Sequence, residues 1–541
     1  MAGGTFIAQN KVRPGAYINF KAVSAPAMSV GERGVAAMPL ATGWGPDYIE
    51  LYSEELLSGK SLLKVGCTYV DEDALIYRLV LSNTYKLLIA RSDIGVGKKA
   101  SATIGDLKVE AINEGEAGNG IVVSVSENSE TGKYNVVTNV GGETKDTQSV
   151  ESISELTSNE FVSFSDVGEG VFTPTEGTHL SGGENECKKA SATVGNLVID
   201  AKYKGAFGNR ISVIIAKVGE TSNYDVTTAV DGVGKDIQRI STIDKLVGND
   251  WADFGINDEE ESLVPTVTAG TQLTGGGSGT ESSQSISSAI AVLATKTFNV
   301  LGCMSSESTV KQYIKTTIRQ LREDEGRKCK AIVLDYGGLS GADYEGITSC
   351  KQGYKTQDGE ITAGQFVAQL TGMSAGAELG VSLTHKAIEG AIEVVGDPKS
   401  NADIIEALKT GYLVLSQLND GTVIIEQDIN TLCNDLTNKD DSFKKNLIIN
   451  TLDEIGNTIQ LTWDKTYCGK VHNNPTQREN YRAALIQYFR TLESLELIQD
   501  FNKDTDIIVN QGENLDSVVV DWWVKPVDVM EKLYMTTNVR R

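Results

Sequence analysis

The chain has 541 residues, 40% hydrophobic and 23% charged, with 49 Lys+Arg against 73 Asp+Glu and a formal net charge of −24. That length exceeds what one core holds and sets an expectation of about three or four domains of ordinary folded composition. The acidity is spread along the chain with no basic cluster to release counterions, which argues against nucleic-acid binding and reads as solubility at high concentration.

Seven cysteines (Cys67, Cys187, Cys303, Cys329, Cys350, Cys433 and Cys468) are scattered without a Cys-x-x-Cys pair. The expectation is a reducing compartment with thiols buried as small hydrophobes. The opening segment lacks the charged-then-apolar build of a signal peptide, and no apolar run approaches membrane-spanning length. A protein made in a cytoplasm, without membrane insertion, is expected. The 55 glycines against 9 prolines fit many turns and much β-structure.

In chain order, the opening MAGGTFIAQNKVRPGAYINF is strand-like where most chains fray into polar tails. Residues 1–24 read as an amino-terminal arm and 25–97 as the first part of a body. Residues 98–125 (KKASATIGDLKVEAINEGEAGNGIVVSV) and 188–215 (KKASATVGNLVIDAKYKGAFGNRISVII) are identical at 14 of 28 positions without a gap, which excludes chance. The same spacing continues through Tyr134 and Tyr224, Lys145-Asp146 and Lys235-Asp236, and Phe164 and Phe254. The copies close on GTHLSGG at 177–183 and GTQLTGG at 270–276. One module therefore occurs twice, at 98–187 and 188–279. Its β-branched runs at 121–125 and 211–215, broken by Gly, Asn and Asp-Gly, read as strands. Two copies are too few for a solenoid, so two small β-rich domains in tandem are expected. The Gly-Asn pairs at 118–119 and 208–209 read as tight turns rather than ligand loops.

After GGGSGTESSQS at 275–285 the pattern turns to alternating helices and strands, an α/β core spanning 284–505. Residues 286–297 are helix-like, with Ser285 placed to cap them. Residues 298–303 read as a strand. Residues 308–325 put Val310, Ile314, Ile318 and Leu321 at helical spacing, with Gly326 as a stop. Residues 331–336 form a buried-strand run. Ser400-x-x-Asp403 resembles a capping box for 404–409, with Gly411 as the C-cap. Asn419-Asp420-Gly421 between 412–417 and 422–426 signals a hairpin. Thr476-x-x-Glu479 reads as the cap of a long helix carrying Tyr481, Leu485, Tyr488, Phe489, Leu492, Leu495 and Ile498.

The run 517–541, SVVVDWWVKPVDVMEKLYMTTNVRR, closes the chain within a carboxy-terminal strand and arm assigned to 506–541. Strand alternation puts Val518, Val520, Trp522 and Val524 on one apolar face, expected to pack on a receiving body. Val519, Asp521, Trp523 and Lys525 fall on the other face. A terminal strand must find an edge, in its own sheet or in that of another copy by strand addition.

No catalytic constellation emerges. His179, His385 and His472 lack metal-ligand spacing and read as turn or core residues. Gly59-Lys60-Ser61 lacks the earlier glycine of a phosphate loop, because position 54 is Glu. Ser308-x-x-Lys311 falls inside an amphipathic helix without companion motifs. Glu323, Asp324 and Glu325, between Arg322 and Arg327, read as a solvated charge run.

Taken together, the sequence resembles the contractile tail sheath proteins of phages and R-type bacteriocins. The residues that carry this are VRPGAYINF at 12–20, GVAAMPL at 34–40 before Gly43-Trp44-Gly45-Pro46, YKGAFGNR at 203–210 and QLTGG at 272–276. AGQFVAQLTGMSAGAELGVSLT at 363–384, EQDINT at 426–431 and WVKPVDVMEK at 523–532 complete the set, in family order over essentially the whole chain. The departure is the duplicated module, since such proteins carry it once.

The resemblance implies a multidomain α+β chain: an α/β sheath core with two tandem inserted β-rich domains and extended strand arms. It implies a non-enzymatic sheath subunit without cofactor or metal, polymerising as hexameric discs around a tube and contracting from a metastable state. Implied partners are itself, the tail tube protein, baseplate proteins and a tail terminator or collar. The implied location is a virion tail or bacteriocin particle assembled in the host cytoplasm. Inter-subunit arm contacts are then expected at Val12, Pro14, Tyr17, Val518, Val520, Trp522, Trp523, Val524 and Lys525. The competing readings are a secreted adhesin or surface-layer protein with tandem β modules, and an α/β enzyme with accessory β domains.

Overall fold

The computed structural model describes residues 33–56, 60–95, 97–257, 262–338, 340–434 and 439–540, with the two-residue strands Gly3–Gly4 and Ala16–Tyr17. At the centre, Ile347–Cys350, Lys330–Leu334, Val300–Cys303, Val35–Leu40, Lys86–Arg91 and Tyr48–Tyr52 lie side by side in that order. The first five run parallel and Tyr48–Tyr52 is an antiparallel edge. Parallel strands are covered on both faces, which is why they read as continuous apolar runs. Helices Ala74–Leu81 and Ala363–Gly376 cover Met38, Leu87, Ile89 and Ile332 on one face. Helices Ser283–Ala294 and Ser308–Arg319 cover Ala37, Leu88, Leu301 and Val333 on the other.

Between Lys86–Arg91 and Ser283–Ala294 the chain builds two sandwiches with one topology. In module 1 the four-stranded sheet runs Glu143–Val150, Lys133–Val140, Ile121–Asn128, Thr175–His179, and the three-stranded sheet Val162–Asp166, Leu107–Glu114, Lys99–Ile104. Module 2 repeats this with Val233–Ile240, Tyr224–Val230, Ile211–Lys217, Thr268–Gln272 and with Ser191–Val194, Leu197–Ala201, Ala252–Ile256. The Gly-Asn pairs are clamps on the closing segment. Asn119 Nδ2 donates to Gly183 O at 3.0 Å and its Oδ1 accepts from Gly183 N at 2.8 Å. Asn209 does the same with Gly276, at 2.8 and 2.9 Å.

The modules meet the rest of the molecule differently. Module 2's core takes in Trp44 from the body, whose ring lies 5.3 Å from Tyr203 and 5.1 Å from Phe207. Arg91, buried against Asp93, donates to Lys204 O at 3.0 Å, and Arg210 reaches Asp71 at 3.3 Å. Module 1's core is drawn from its own residues. Its ends pair with each other, Lys98 and Glu184 exchanging backbone bonds of 2.9 and 3.0 Å.

Several helix starts differ from the sequence expectation. Ser282, not Ser285, caps Ser283–Ala294, and Ser285 is the third helical residue that completes the capping box (3.1 and 2.8 Å). Asn474, not Thr476, caps Pro475–Ser494, accepting from Gln477 N at 3.0 Å. Pro475 follows at the first turn, where no amide donor is missed. The long helix therefore stops before Leu495 and Ile498, and Ile498 belongs to strand Ile498–Gln499. Asn401–Lys409 starts at Ser400 as its capping pattern implies, and the Asn419-Asp420-Gly421 hairpin pairs Leu415 with Ile425. Five cysteines are buried and Cys433 is half-buried, but Cys468 is exposed, against the expectation of burial.

The carboxy-terminal unit has its own core, on Leu485, Tyr488, Phe489 and Leu492. Helix Asn446–Thr462 joins it to the central sheet across a largely polar seam. Arg322 grips Asp453 with two bonds of 2.6 and 2.8 Å, Asn446 donates to Asp428 at 2.8 Å, and Asn457 donates to Lys328 O at 2.9 Å. Among the described residues no helix is long and apolar enough to cross a membrane.

Candidate assembly surface

Ile507–Gln511 and Val518–Trp522 form an antiparallel hairpin that pairs Ile507 with Trp522, Val509 with Val520 and Gln511 with Val518. Val518, Val520, Trp522 and Val524 pack against the carboxy-terminal core, with Trp522 edge-on to Phe489 at 5.4 Å. The single chain thus covers this face itself. Helix Pro475–Ser494 offers apolar neighbours within reach, so no receiving body is needed for it. Val519 and Trp523 are 47% and 54% exposed, and Asp521 lies beside them at the surface.

The expected single strand over 518–525 is broken. Lys525–Pro526 leaves the hairpin and pairs with Ile498–Gln499, where Lys525 meets Asp500 at 2.8 Å in an exposed ion pair. Each of these sheets has two strands, so among the described residues their outer edges carry no further strand. At the other terminus, Val12 and Pro14 lie outside the described residues. Tyr17 ends the strand Ala16–Tyr17, which pairs parallel with Gly3–Gly4.

Beyond Pro526 the chain holds on to its own body through Val527, Asp528 and Glu531, with Asp528 3.9 Å from the Lys445 ammonium. Val527 N donates to Leu497 O at 3.1 Å. The Glu531 carboxylate accepts from Gln427 Nε2 at 2.7 Å, from Thr384 Oγ1 at 3.0 Å and from Lys445 Nζ. Burial opposes ionisation of Glu531, but the bonds from Lys445, Gln427 and Thr384 hold it below the usual carboxylate range. Lys532 through Arg540 are exposed, with Leu533, Tyr534, Met535 and Val539 each at least 78% accessible.

The residues singled out for chemistry do not converge. His179 ends a strand of module 1, His385 sits in a loop at φ 57°, and His472 follows the turn after Tyr467. Lys311 Nζ donates to Asp335 O at 3.0 Å, Glu323 pairs with Arg319 at 3.3 Å, and Glu325 pairs with Arg327 at 3.5 Å. Gly59 lies outside the described residues. Among those described, no group of three or more His, Cys, Asp or Glu side chains could hold a metal ion.

Comparison with known proteins fits this layout. Residues 95–185 and 185–278 each match the phage tail sheath protein beta-sandwich domain, 279–431 the phage tail sheath protein central domain, and 438–540 the phage tail sheath C-terminal domain. The chain is 27% identical to the phage-like element PBSX protein XkdK of Bacillus subtilis (strain 168), over 100% of both chains. It is 26% identical to a tail sheath protein of Clostridium phage phiCD119 over 211 residues, 39% of this chain and 57% of that protein. A solved sheath tail protein from Desulfitobacterium hafniense is 28% identical, with a TM-score of 0.68 over 96% of this chain and 99% of that one. Sandwich, central and carboxy-terminal units in this order define a sheath-type tail protein. The chain belongs to the phage tail sheath family, with the β-sandwich domain present twice.

Proposed function

We propose that this chain polymerises as hexameric discs around a tail tube and contracts to drive the tube through a target cell envelope. The observation that carries this reading is the carboxy-terminal hairpin, with open strand edges and an apolar tail that leaves its own body. An open edge accepts an added strand, and a tail with uncovered apolar side chains supplies one. The arms, with Val12, Pro14 and Tyr17 at one end and 518–525 at the other, link neighbouring subunits, while Val519, Asp521 and Trp523 present the hairpin's outer face. Contraction requires two assembly states of different free energy separated by a barrier; arms that stay connected let the bodies slide between them. Tail tube, baseplate and a tail terminator or collar are the partners of such an assembly, in a virion tail or bacteriocin particle built in the host cytoplasm. Negative-stain microscopy of the purified chain tests this. Striated hollow cylinders are expected, lost when residues 1–20 or 532–541 are removed; truncated chains that still build long cylinders would overturn it.

A further inference from the structure

The terminal segment changes character at one residue. Of the residues from 528 to 540, Glu531 alone is not exposed: its side chain is 12% accessible, while Met530 just before it is fully bare and Leu533 just after it is 87% exposed. A charged side chain is an odd anchor for an apolar tail, since Met530 or Leu533 would bury more apolar surface.

The receptor for Glu531 is built from three separate stretches and tied down independently of the tail. Thr384 Oγ1 accepts from Asp428 N at 3.0 Å and from Ser382 Oγ at 3.0 Å. Asp428 in turn accepts from Leu383 N at 3.1 Å and from Asn446 at 2.8 Å. Lys445 adjoins Asn446 at the head of helix Asn446–Thr462, and Asp528 lies 3.9 Å from its ammonium. The site therefore stands at the joint of the central and carboxy-terminal units, where hydrogen bonds from both converge on one carboxylate. Charge-assisted bonds of this kind are directional and fix orientation where apolar contact would allow sliding.

We propose that Glu531 is a latch that fixes where, and in which direction, the terminal arm leaves its own subunit: the chain up to it is folded on its own body, whatever its outer face meets, and Lys532–Arg540 is the part released toward a second copy of this chain. The second copy is the fitting partner on charge. The segment 532–541 holds Lys532, Arg540 and Arg541 and no acidic residue, whereas the whole chain carries −24. A net-acidic copy attracts a basic tail, and Leu533, Tyr534, Met535 and Val539 supply the apolar contact left uncovered at home. Anchored at Glu531, nine residues reach at most about 30 Å. Without the latch the loose segment starts near Asp528, its direction is lost and its effective concentration at the neighbour falls. This inference rests on the self-assembly proposed above, and the two are tested separately.

Met530 and Met535 flank the latch and serve as native probes in full-length protein carrying methyl-labelled methionine. In dilute wild type, methyl relaxation should show Met530 restrained and Met535 free. Glu531→Ala should bring Met530 to the mobility of Met535 and raise the concentration needed for assembly about tenfold. The charge reversal Glu531→Lys with Lys445→Glu should restore both readouts. Unchanged Met530 relaxation in Glu531→Ala would overturn the latch. A freed Met530 with unchanged assembly would overturn the assignment of the tail as a directed ligand. A wild-type chain that shows the mobility step but never assembles overturns the polymer reading and the ligand assignment with it, and supports the latch itself.

Discussion

The turns Glu116–Gly120 and Ala206–Arg210 occupy matched positions in the two sandwiches and meet different neighbours. In module 2 this turn presents Phe207, buried beside Trp44, and Arg210, paired with Asp71 and Asp231. In module 1 the same places hold Ala117 and Gly120, and the turn meets the linkers after each module, Glu116 donating through its backbone N to Asn185 Oδ1 at 3.1 Å and accepting from Thr280 at 2.9 Å. Charge follows the same division. Residues 98–187 hold 5 Lys and no Arg against 16 Asp+Glu, whereas 188–279 hold 9 Lys+Arg against 12 Asp+Glu, so module 1 carries −11 and module 2 carries −3. Duplication kept the inward alternation that builds each sandwich, since both depend on the same core. It left the docking turn and the Tyr203-Lys204 pair before it free to diverge, and together these fasten module 2 to the body.

The strongest way to break this comparison is to remove each module in turn. Deleting residues 98–184 should leave a folded remainder, because the paired ends at Lys98 and Glu184 already close the insertion and loop closure depends weakly on length. Deleting 188–277 strips Trp44 of Tyr203 and Phe207 and should yield a chain that aggregates or binds a hydrophobic dye. Equal damage from both deletions would erase the distinction. A smaller effect is expected from Phe207→Ala. It removes a buried ring at the joint and should cost about 3 kcal/mol in urea unfolding. Module 1 already has alanine at the matched position and stands without this contact.

The smallest effect concerns acid. Hydrogen bonds from Gln148, then Asn159, hold the Asp146 carboxyl below its ordinary value. A depressed carboxyl adds stability above its unfolded pKa and loses it as pH falls through the folded value. Wild type should therefore exceed Asp146→Asn in stability at neutral pH and converge with it below about pH 4. A difference that persists undiminished at low pH would refute the assignment.

Parts of this molecule were legible in sequence because the local signal and the tertiary environment agree. The duplication, the amphipathic helix Ser308–Arg319 and the Asn-Asp-Gly hairpin are of this kind. Among the described helices longer than one turn, three went unread. Ala363–Gly376 is buried almost all round, from Phe366 to Ala375, so it has no polar stripe to mark a period. Asn446–Thr462 buries Asn450, Asp453 and Glu454 against the polar seam, which breaks the apolar repeat. Ala74–Leu81 is a short helix covered on one face by Ala363–Gly376. At the terminus, the valine and tryptophan alternation gave the two faces of the strand, but not that the chain's own helix covers the apolar one. Glu531 had no local signal at all. Its three partners come from positions 86 to 147 residues away.

The central sheet also sets an order of events during synthesis. Val35–Leu40, Lys86–Arg91 and Tyr48–Tyr52 pair with one another, but the other edge of Val35–Leu40 must wait for Val300–Cys303, whose neighbour Asn299 accepts from Gly34 N and Val35 N at 3.1 and 2.9 Å. At ordinary elongation rates the ribosome needs roughly 10 to 40 s to translate what lies between. Both sandwiches, whose contacts are local, emerge and close within that interval. One edge of Val35–Leu40 stays without its neighbour throughout it, until residue 303 leaves the exit tunnel.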